Sequence, residues 1–422
     1  MAIRILFLTP VLPGKASGGA VRVDSQLSFL AGRHEVSVAS FNGPAEDLRG
    51  LRARAHDVEI LPSPPGYGGQ AKAQEGQKAH QKRSDSSLRS AYFHLRHLAN
   101  GFKCEPEEVA FTRRFVPPTL ARQIIERVRP DCLIITQAEF AYLREAAGEG
   151  IFCVYDSQEV RYTTLERRAA YEWNLHWRLY WAIESRRMKA YEAHWAKQFD
   201  LVSAISRRDE CFFRMLGCEN VSVFPEGSPV QECRAVEVRG KAPVALFLGN
   251  FTNVPNVDAV EWFVRHVWPV VRKAVPRAEF HVAGVSIPGS IGRLDGRDGI
   301  RVLGFVDDLG KAFGGARVFV LPMRMGGGQK VKLAQALAAG LPVVSTPEGC
   351  EGMTLESGRD LLVESSKVNF ASAVVRLFED DDLAESLGRA GRARVEKDYN
   401  RQEILGRFEN ALLEGVALKG KK

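Results

Sequence analysis

Residues 318–346 read VFVLPMRMGGGQKVKLAQALAAGLPVVST, and the way this stretch folds decides the architecture of the chain. Val318 to Leu321 is an uninterrupted apolar run closed by Pro322, as expected of a strand buried on both faces. Gly326, Gly327 and Gly328 follow, then helical spacing from about Gln329 to Ala339, then Gly340, a residue suited to ending a helix. Pro342 to Ser345 is the next apolar run. Strand, glycine turn, helix and strand make a parallel βαβ unit. In such a unit the helix start lies at the carboxyl edge of the sheet, where unpaired N–H groups and the positive end of the helix dipole attract an anion. The backbone of Gly326, Gly327, Gly328 and Gln329 would supply donors. Lys330 and Lys332 lie within the first turn; Lys332 is the stronger candidate for a phosphate contact, the plain alternative being a solvated helix lysine.

The same pattern recurs on either side. Short runs rich in Val, Ile, Leu and Phe, each followed by a break and a helix-like segment, occur at Ile3–Leu8, Glu35–Ala39, Val58–Leu61, Cys132–Ile135, Phe152–Tyr155, Leu201–Ala204 and Val221–Phe224. The second half adds Val244–Leu248, Glu279–Ala283, Arg301–Leu303 and Leu361–Val363. Two doubly wound α/β sheets follow from this alternation. The expected division is a first Rossmann-like domain over 1–230, a second over 231–400, and a C-terminal helix over 401–422 that crosses back to the first. Residues 225–243, polar, with three prolines and no period, read as the linker and hinge. The stretch from Pro62 to about Ser90, poor in large apolar residues, reads as a mobile surface loop. Residues 161–197 are helical in composition, basic and aromatic-rich. Two readings stay open for them: an aromatic stripe buried against the first domain, or an interfacial helix making peripheral contact with an anionic membrane.

A chain of 422 residues with 45% apolar and 26% charged residues can fill more than one core, so bulk disorder and a fibrous fold are excluded. A formal charge of +7 suits anionic partners without a dense cationic tract, and nucleic acid is not expected. The seven cysteines are scattered, with no C-x-x-C pair and no zinc-ligand spacing, which fits a reducing compartment. No apolar stretch has the length of a signal-peptide core or a bilayer span, so a cytoplasmic location, with association to the inner face of the membrane left open, is the expectation.

The loop after the first strand, PVLPGKASGG over residues 10–19, precedes a helical segment. Gly18 and Gly19 would let a diphosphate or sugar approach the backbone, or would simply form a tight turn. Neither the dinucleotide fingerprint G-x-G-x-x-G nor a Walker A sequence is present here, which argues against a dehydrogenase or a P-loop ATPase. His34, His194, His266 and His281 lie in helix or strand contexts without catalytic company.

Together, Leu246–Phe251 (LFLGNF), Pro255–Val260 (PNVDAV), Val306–Asp308 (VDD), the glycine loop with its helix, and Gly340–Thr346 (GLPVVST) resemble the GT-B glycosyltransferases, in particular the bacterial nucleotide-sugar-dependent retaining group usually called family 4. The resemblance implies two Rossmann-like domains facing each other across a deep cleft. It also implies a hexosyltransferase that moves a sugar, with retention, from a nucleotide-diphosphate sugar to a sugar, lipid-linked or small-molecule acceptor in glycan or glycoconjugate biosynthesis. No metal or other cofactor is expected. The base would lie near Gly304 to Val306, the ribose against Gln335, and the diphosphate over Gly327, Gly328 and Lys332, with Asn250 and Arg324 nearby. Tyr155–Glu159 (YDSQE) ends a strand where relatives often present a His or Asp to the sugar, so Asp156, then Glu159, are the candidates for orienting or deprotonating the acceptor. For Asp156 the alternative is a helix cap.

Two departures from the family stand out. Where many members have two glutamates eight positions apart, this chain has Gly327 and Gln335. Where they carry an Arg and a Lys after the first strand of the second domain, Gly249–Asn256 offers Asn250 and Asn256 but no cation. These losses keep a non-catalytic nucleotide-sugar-binding partner protein open as a rival, alongside a sugar-nucleotide epimerase or phosphorylase on the same scaffold.

Overall fold

The computed structural model describes residues 2–14, 18–63, 105–228, 230 and 233–420. Its strands form two all-parallel sheets. The first comprises β1 (Arg4–Thr9), β2 (Glu35–Ser40), β3 (Asp57–Ile60), β4 (Cys132–Thr136), β5 (Phe152–Ser157), β6 (Leu201–Ala204) and β7 (Val221–Val223), in the order β3-β2-β1-β4-β5-β6-β7. The second comprises β8 (Val244–Asn250), β9 (Glu279–Val285), β10 (Ile300–Gly304), β11 (Val318–Leu321), β12 (Val343–Ser345) and β13 (Leu362–Val363), in the order β10-β9-β8-β11-β12-β13. Every residue of β4 and β11 is buried, while β3 at an edge is only partly so. Helices cover both faces of a parallel sheet, so its central strands have no water-facing side and their sequences do not alternate.

Both sheets wind outward from an inner pair, β1 beside β4 in the first and β8 beside β11 in the second. At such a switch point the chain leaves neighbouring strands in opposite directions, and a crevice opens at their carboxyl ends. Each unit therefore has one place where polar groups can converge on a ligand.

Contacts divide the chain into Met1–Phe224 with Leu405–Lys422, and Pro225–Ile404. The sequence set the boundaries at 230/231 and 400/401; the contacts set them at 224/225 and 404/405, the latter inside the helix Arg401–Lys419. The end of that helix is fixed within the first unit. Phe408 packs edge-on against Phe224 at 5.2 Å, His34 Nε2 lies 3.0 Å from Glu409 Oε1, and Lys419 Nζ lies 2.9 Å from Asp200.

Residues 225–243 are not the free linker that their composition suggested. Val230 and Val238 are buried in the core of the second unit, and Ser228 N–H donates to Tyr399 O at 2.7 Å. Arg317 donates to the carbonyl of Val238 at 3.2 Å. The segment lacks a period because its backbone is held irregularly by distant groups. The loop expected over Pro62–Ser90 lies, from residue 64 on, outside the described residues.

Residues 161–197 form two helices, Arg161–Tyr171 and Leu175–Ala196, with Asn174 capping the second through its Oδ1. The inward face of Leu175–Ala196 carries Trp177, Trp181, Glu184, Met188, Tyr191 and Trp195, at helical spacing. Its two buried carboxylates serve as remote caps. Glu192 accepts N–H bonds from Arg161 and Tyr162 at 3.0 and 2.9 Å, and Glu184 accepts that of Glu107, where another helix begins, at 2.8 Å. Neither helix has a side-chain cap of its own, so these bonds satisfy donors that would otherwise be orphaned. Burial pushes the Glu192 carboxyl up to about 8.

Candidate functional site

At the switch point of the second unit, β11 runs into Gly326, Gly327 and Gly328, and the helix begins at Val331, two residues later than its spacing suggested. Gly326 and Gly328 have φ of 104° and 65°, conformations that only glycine adopts freely. Gln329 is withheld from the helix by a reciprocal pair: Glu226 N–H donates to its Oε1 at 3.0 Å and its Nε2 donates to Glu226 O at 2.9 Å. The Gln329 side chain thus anchors the loop from behind.

Lys330 caps the loop, its Nζ donating to the carbonyls of Gly327 and Gly328 at 2.9 and 2.7 Å. A trans peptide sets its N–H opposite its C=O, so the N–H groups of Gly328 and Gln329 point away from the ammonium. Among the described residues, the backbone N–H groups of Gly327, Gly328, Gln329, Val331 and Lys332 donate to no acceptor. A row of unpaired donors at a helix start is what an anion binds.

Lys332 stands in the first turn. Its Nζ donates to Asn256 Oδ1 at 2.7 Å and lies 4.5 Å from the centre of the Phe247 ring. Asn256, buried, donates in turn to Asn250 O at 2.7 Å, tying the helix start to the end of β8. No carboxylate pairs with Lys332 among the described residues. Burial, with Lys330 adding repulsion, lowers its ammonium to about 7. A lysine so placed gains most when an anion arrives.

The other expected donor residues fare differently. Arg324 is engaged by Asp258 in a two-pronged ion pair, with a 3.0 Å bond from its Nε, so part of its charge is already neutralised. The Asn250 side chain shapes a turn by accepting from Thr252 N–H and Oγ1 at 3.0 and 2.8 Å. Gln335, half-buried, lies one turn beyond Lys332 on the same face, and its side-chain amide has no hydrogen-bond partner among the described residues. Val306 packs against the core, whereas Phe305 beside it is 67% exposed. Both follow β10, two strands or about 10 Å from β8.

In the first unit the helix runs over Gly18–Leu30, so Gly18 and Gly19 lie in its first turn rather than in the loop before it, and the gap left by Gly19 is filled. A Cβ there would lie 2.1 Å from Gln158 Oε1. Gln137 Nε2 donates to that oxygen at 3.0 Å, and Gln158 Nε2 donates to Gly19 O at 3.3 Å. Gln137 itself, directly after β4, holds φ at 64°, a strained setting for a non-glycine residue. Neither glutamine was singled out from the sequence, although each falls just past the end of a strand.

Asp156 does not reach an acceptor as expected. It is fully buried and receives four donors: Arg22 Nε at 3.0 Å, Arg22 Nη2 at 2.7 Å, Gln26 Nε2 at 3.2 Å and Ser203 Oγ at 2.6 Å. Arg22 also donates to Phe224 O at 2.9 Å, so the pair joins β5, β6, the first helix and the end of the sheet. Nor does Asp156 cap the following helix. Glu159 is partly exposed but held by Arg161 at 2.9 Å and Thr164 Oγ1 at 2.8 Å. Among the described residues no group of three or more His, Cys, Asp or Glu side chains could hold a metal ion.

Residues 242–380 match the family model described as glycosyl transferases group 1. The second unit carries a group 1 glycosyltransferase domain. Over 130 residues the chain is 32% identical to a GDP-mannose-dependent monoacylated alpha-(1-6)-phosphatidylinositol monomannoside mannosyltransferase of Corynebacterium glutamicum, covering 29% of this chain and 31% of that protein. Over 168 residues it is 25% identical to an uncharacterized 44.6 kDa protein in the cps region of Klebsiella pneumoniae, covering 38% and 43%. These alignments thus span less than half of either relative. Among solved structures, Anabaena HepE in complex with UDP and glucose superposes with a TM-score of 0.66 at 14% identity, covering 98% of this chain and all of that one. Sucrose-phosphate synthase from Thermosynechococcus elongatus gives 0.69 at 15%, with 98% and 100% covered. At these identities the likeness concerns the fold: two parallel-sheet α/β domains, as in GT-B glycosyltransferases. The glycosyltransferase domain begins at β8 and contains the glycine loop, Lys332 and Gln335.

Proposed function

We propose that this protein transfers a hexosyl group, with retention, from a nucleotide-diphosphate sugar to an acceptor hydroxyl in the assembly of a glycan or glycoconjugate. One observation carries the reading: the amides of Gly327, Gly328, Gln329, Val331 and Lys332, unpaired among the described residues, surround the start of a helix at a switch point, beside a lysine with no carboxylate partner among those residues. As the glycosidic bond breaks, negative charge grows on the diphosphate. Fixed donors aimed at that charge lower the barrier by about 3–4 kcal/mol per well-placed group. In this proposal backbone amides and Lys332 meet the charge in place of a metal ion. Gln335 bonds the ribose, the base lies by Phe305 and Val306, and Gly304 leaves its approach open.

The relatives support a nucleotide sugar as donor: UDP is bound in the HepE structure, and the corynebacterial protein is named for GDP-mannose. Thermal unfolding of the full chain with UDP, GDP, ADP and TDP and their common sugars tests the donor site. One nucleotide should raise the midpoint in a concentration-dependent way. No shift with any of them would defeat the reading. The missing carboxylates at 327 and 335 favour one rival, a binder without turnover. It predicts the same shift but neither transfer nor slow hydrolysis of the donor.

A further inference from the structure

The helix Leu175–Ala196 has a second face that the glycosyltransferase reading leaves unused. Leu175, Leu179 and Ile183 recur every four residues and are 79%, 60% and 38% exposed; Trp173, just before the helix, is 80% exposed. Burial has already sorted the aromatics of this region, with Trp177, Trp181, Tyr191 and Trp195 on the inward stripe, so the outward stripe is a separate feature. Large apolar side chains are not left in water as a contiguous row without reason.

Arg178 and Arg186 flank the row, both exposed, and no acidic side chain pairs with either among the described residues. The carboxylates of this helix, Glu184 and Glu192, are turned inward, where they cap other helices. The outward face therefore combines apolar bulk with uncompensated positive charge. No helix of the described residues is long and apolar enough to cross a membrane.

We propose that this face docks on the surface of an anionic bilayer, with Trp173, Leu175, Leu179 and Ile183 entering the interface and Arg178 and Arg186 meeting lipid phosphates. Interfacial binding needs these two signals together, because apolar area alone does not select anionic lipid and charge alone is screened by salt. A second copy of the chain suits the face poorly. In a symmetric pair the same patch meets itself, which sets Arg178 and Arg186 against their own copies. A single helix ridge also lacks a pocket for a partner's side chains, whereas a lipid surface takes a ridge without needing shape complementarity. The inference is independent of the sugar chemistry.

Sedimentation of the full chain with vesicles tests it. The protein should pellet with an equal mixture of phosphatidylcholine and phosphatidylglycerol, not with phosphatidylcholine alone, and salt should release it. Replacing Leu175, Leu179 and Ile183 together by Ser should abolish pelleting. Arg178→Gln with Arg186→Gln should weaken it about fivefold per charge. Both variants alter exposed positions and should unfold at the parent temperature. Absence of pelleting with the mixed vesicles, or unchanged pelleting in both variants, overturns the proposal. So does a lipid-free dimer that the Ser variant converts to monomer in light scattering.

Discussion

The two units share a strand order around their switch points, yet they use the resulting edge in opposite ways. In the first, the polar groups bond one another: Gln137 with Gln158, Gln158 with Gly19, and Asp156 with Arg22, Gln26 and Ser203. In the second, the side chains of Gln329, Lys330 and Asn256 hold the frame, while a row of amides and the Lys332 ammonium keep donors in hand. One edge is internally satisfied and the other is short of acceptors. The lesson is that topology offers the same crevice twice, and hydrogen-bond accounting tells which one is left with unpaired donors.

Breaking the satisfied edge should have the largest effect on the fold. Arg22→Ala leaves Asp156 buried without its counter-charge and should cost about 3–5 kcal/mol, seen as early melting of the full chain. Parent-like melting would mean that Asp156 is not sequestered by that pair. Breaking the open edge should act on chemistry instead. Lys332→Ala should lower donor turnover by about 10²–10³-fold with little loss of stability, and parent-like turnover would take Lys332 out of the phosphate site.

The contrast sharpens with pH. Because the folded Lys332 ammonium is lowered to about 7, the free site is largely neutral above that value, and an arriving diphosphate should draw in a proton. Pyrophosphate affinity, followed by calorimetry, should therefore fall as pH rises through about 7, and Lys332→Met should flatten the profile. The stability contribution has the opposite slope. The unfolded chain holds the Lys332 proton up to its ordinary 10.5, so stability gains as pH rises from about 7 toward 10.5. The smallest effect is expected from Gln335→Glu. A charge-assisted bond to a ribose hydroxyl in place of a neutral one should tighten nucleotide binding about fivefold in titration. Unchanged affinity would place the ribose elsewhere.

How far the sequence could be read follows from the range of each interaction. The strands were legible because burial on both faces leaves a continuous apolar run, and β11, the glycine turn and Gly340 lie within a single window. The helix start was read two residues early because Gln329 has helical spacing but is held outside the helix by Glu226, 103 residues away. Asp156 was misjudged because Arg22, 134 residues distant, consumes its carboxylate.

Local pattern alone determined two wound α/β sheets and a glycine turn before a lysine-bearing helix, since each is written in residues that are neighbours in the chain. Tertiary structure alone decided which polar groups remain unsatisfied, which aromatics of residues 161–197 turn outward, and that Lys332 is drawn toward neutrality. Those outcomes depend on burial and on partners brought together from remote positions, and neither quantity exists before the chain is folded.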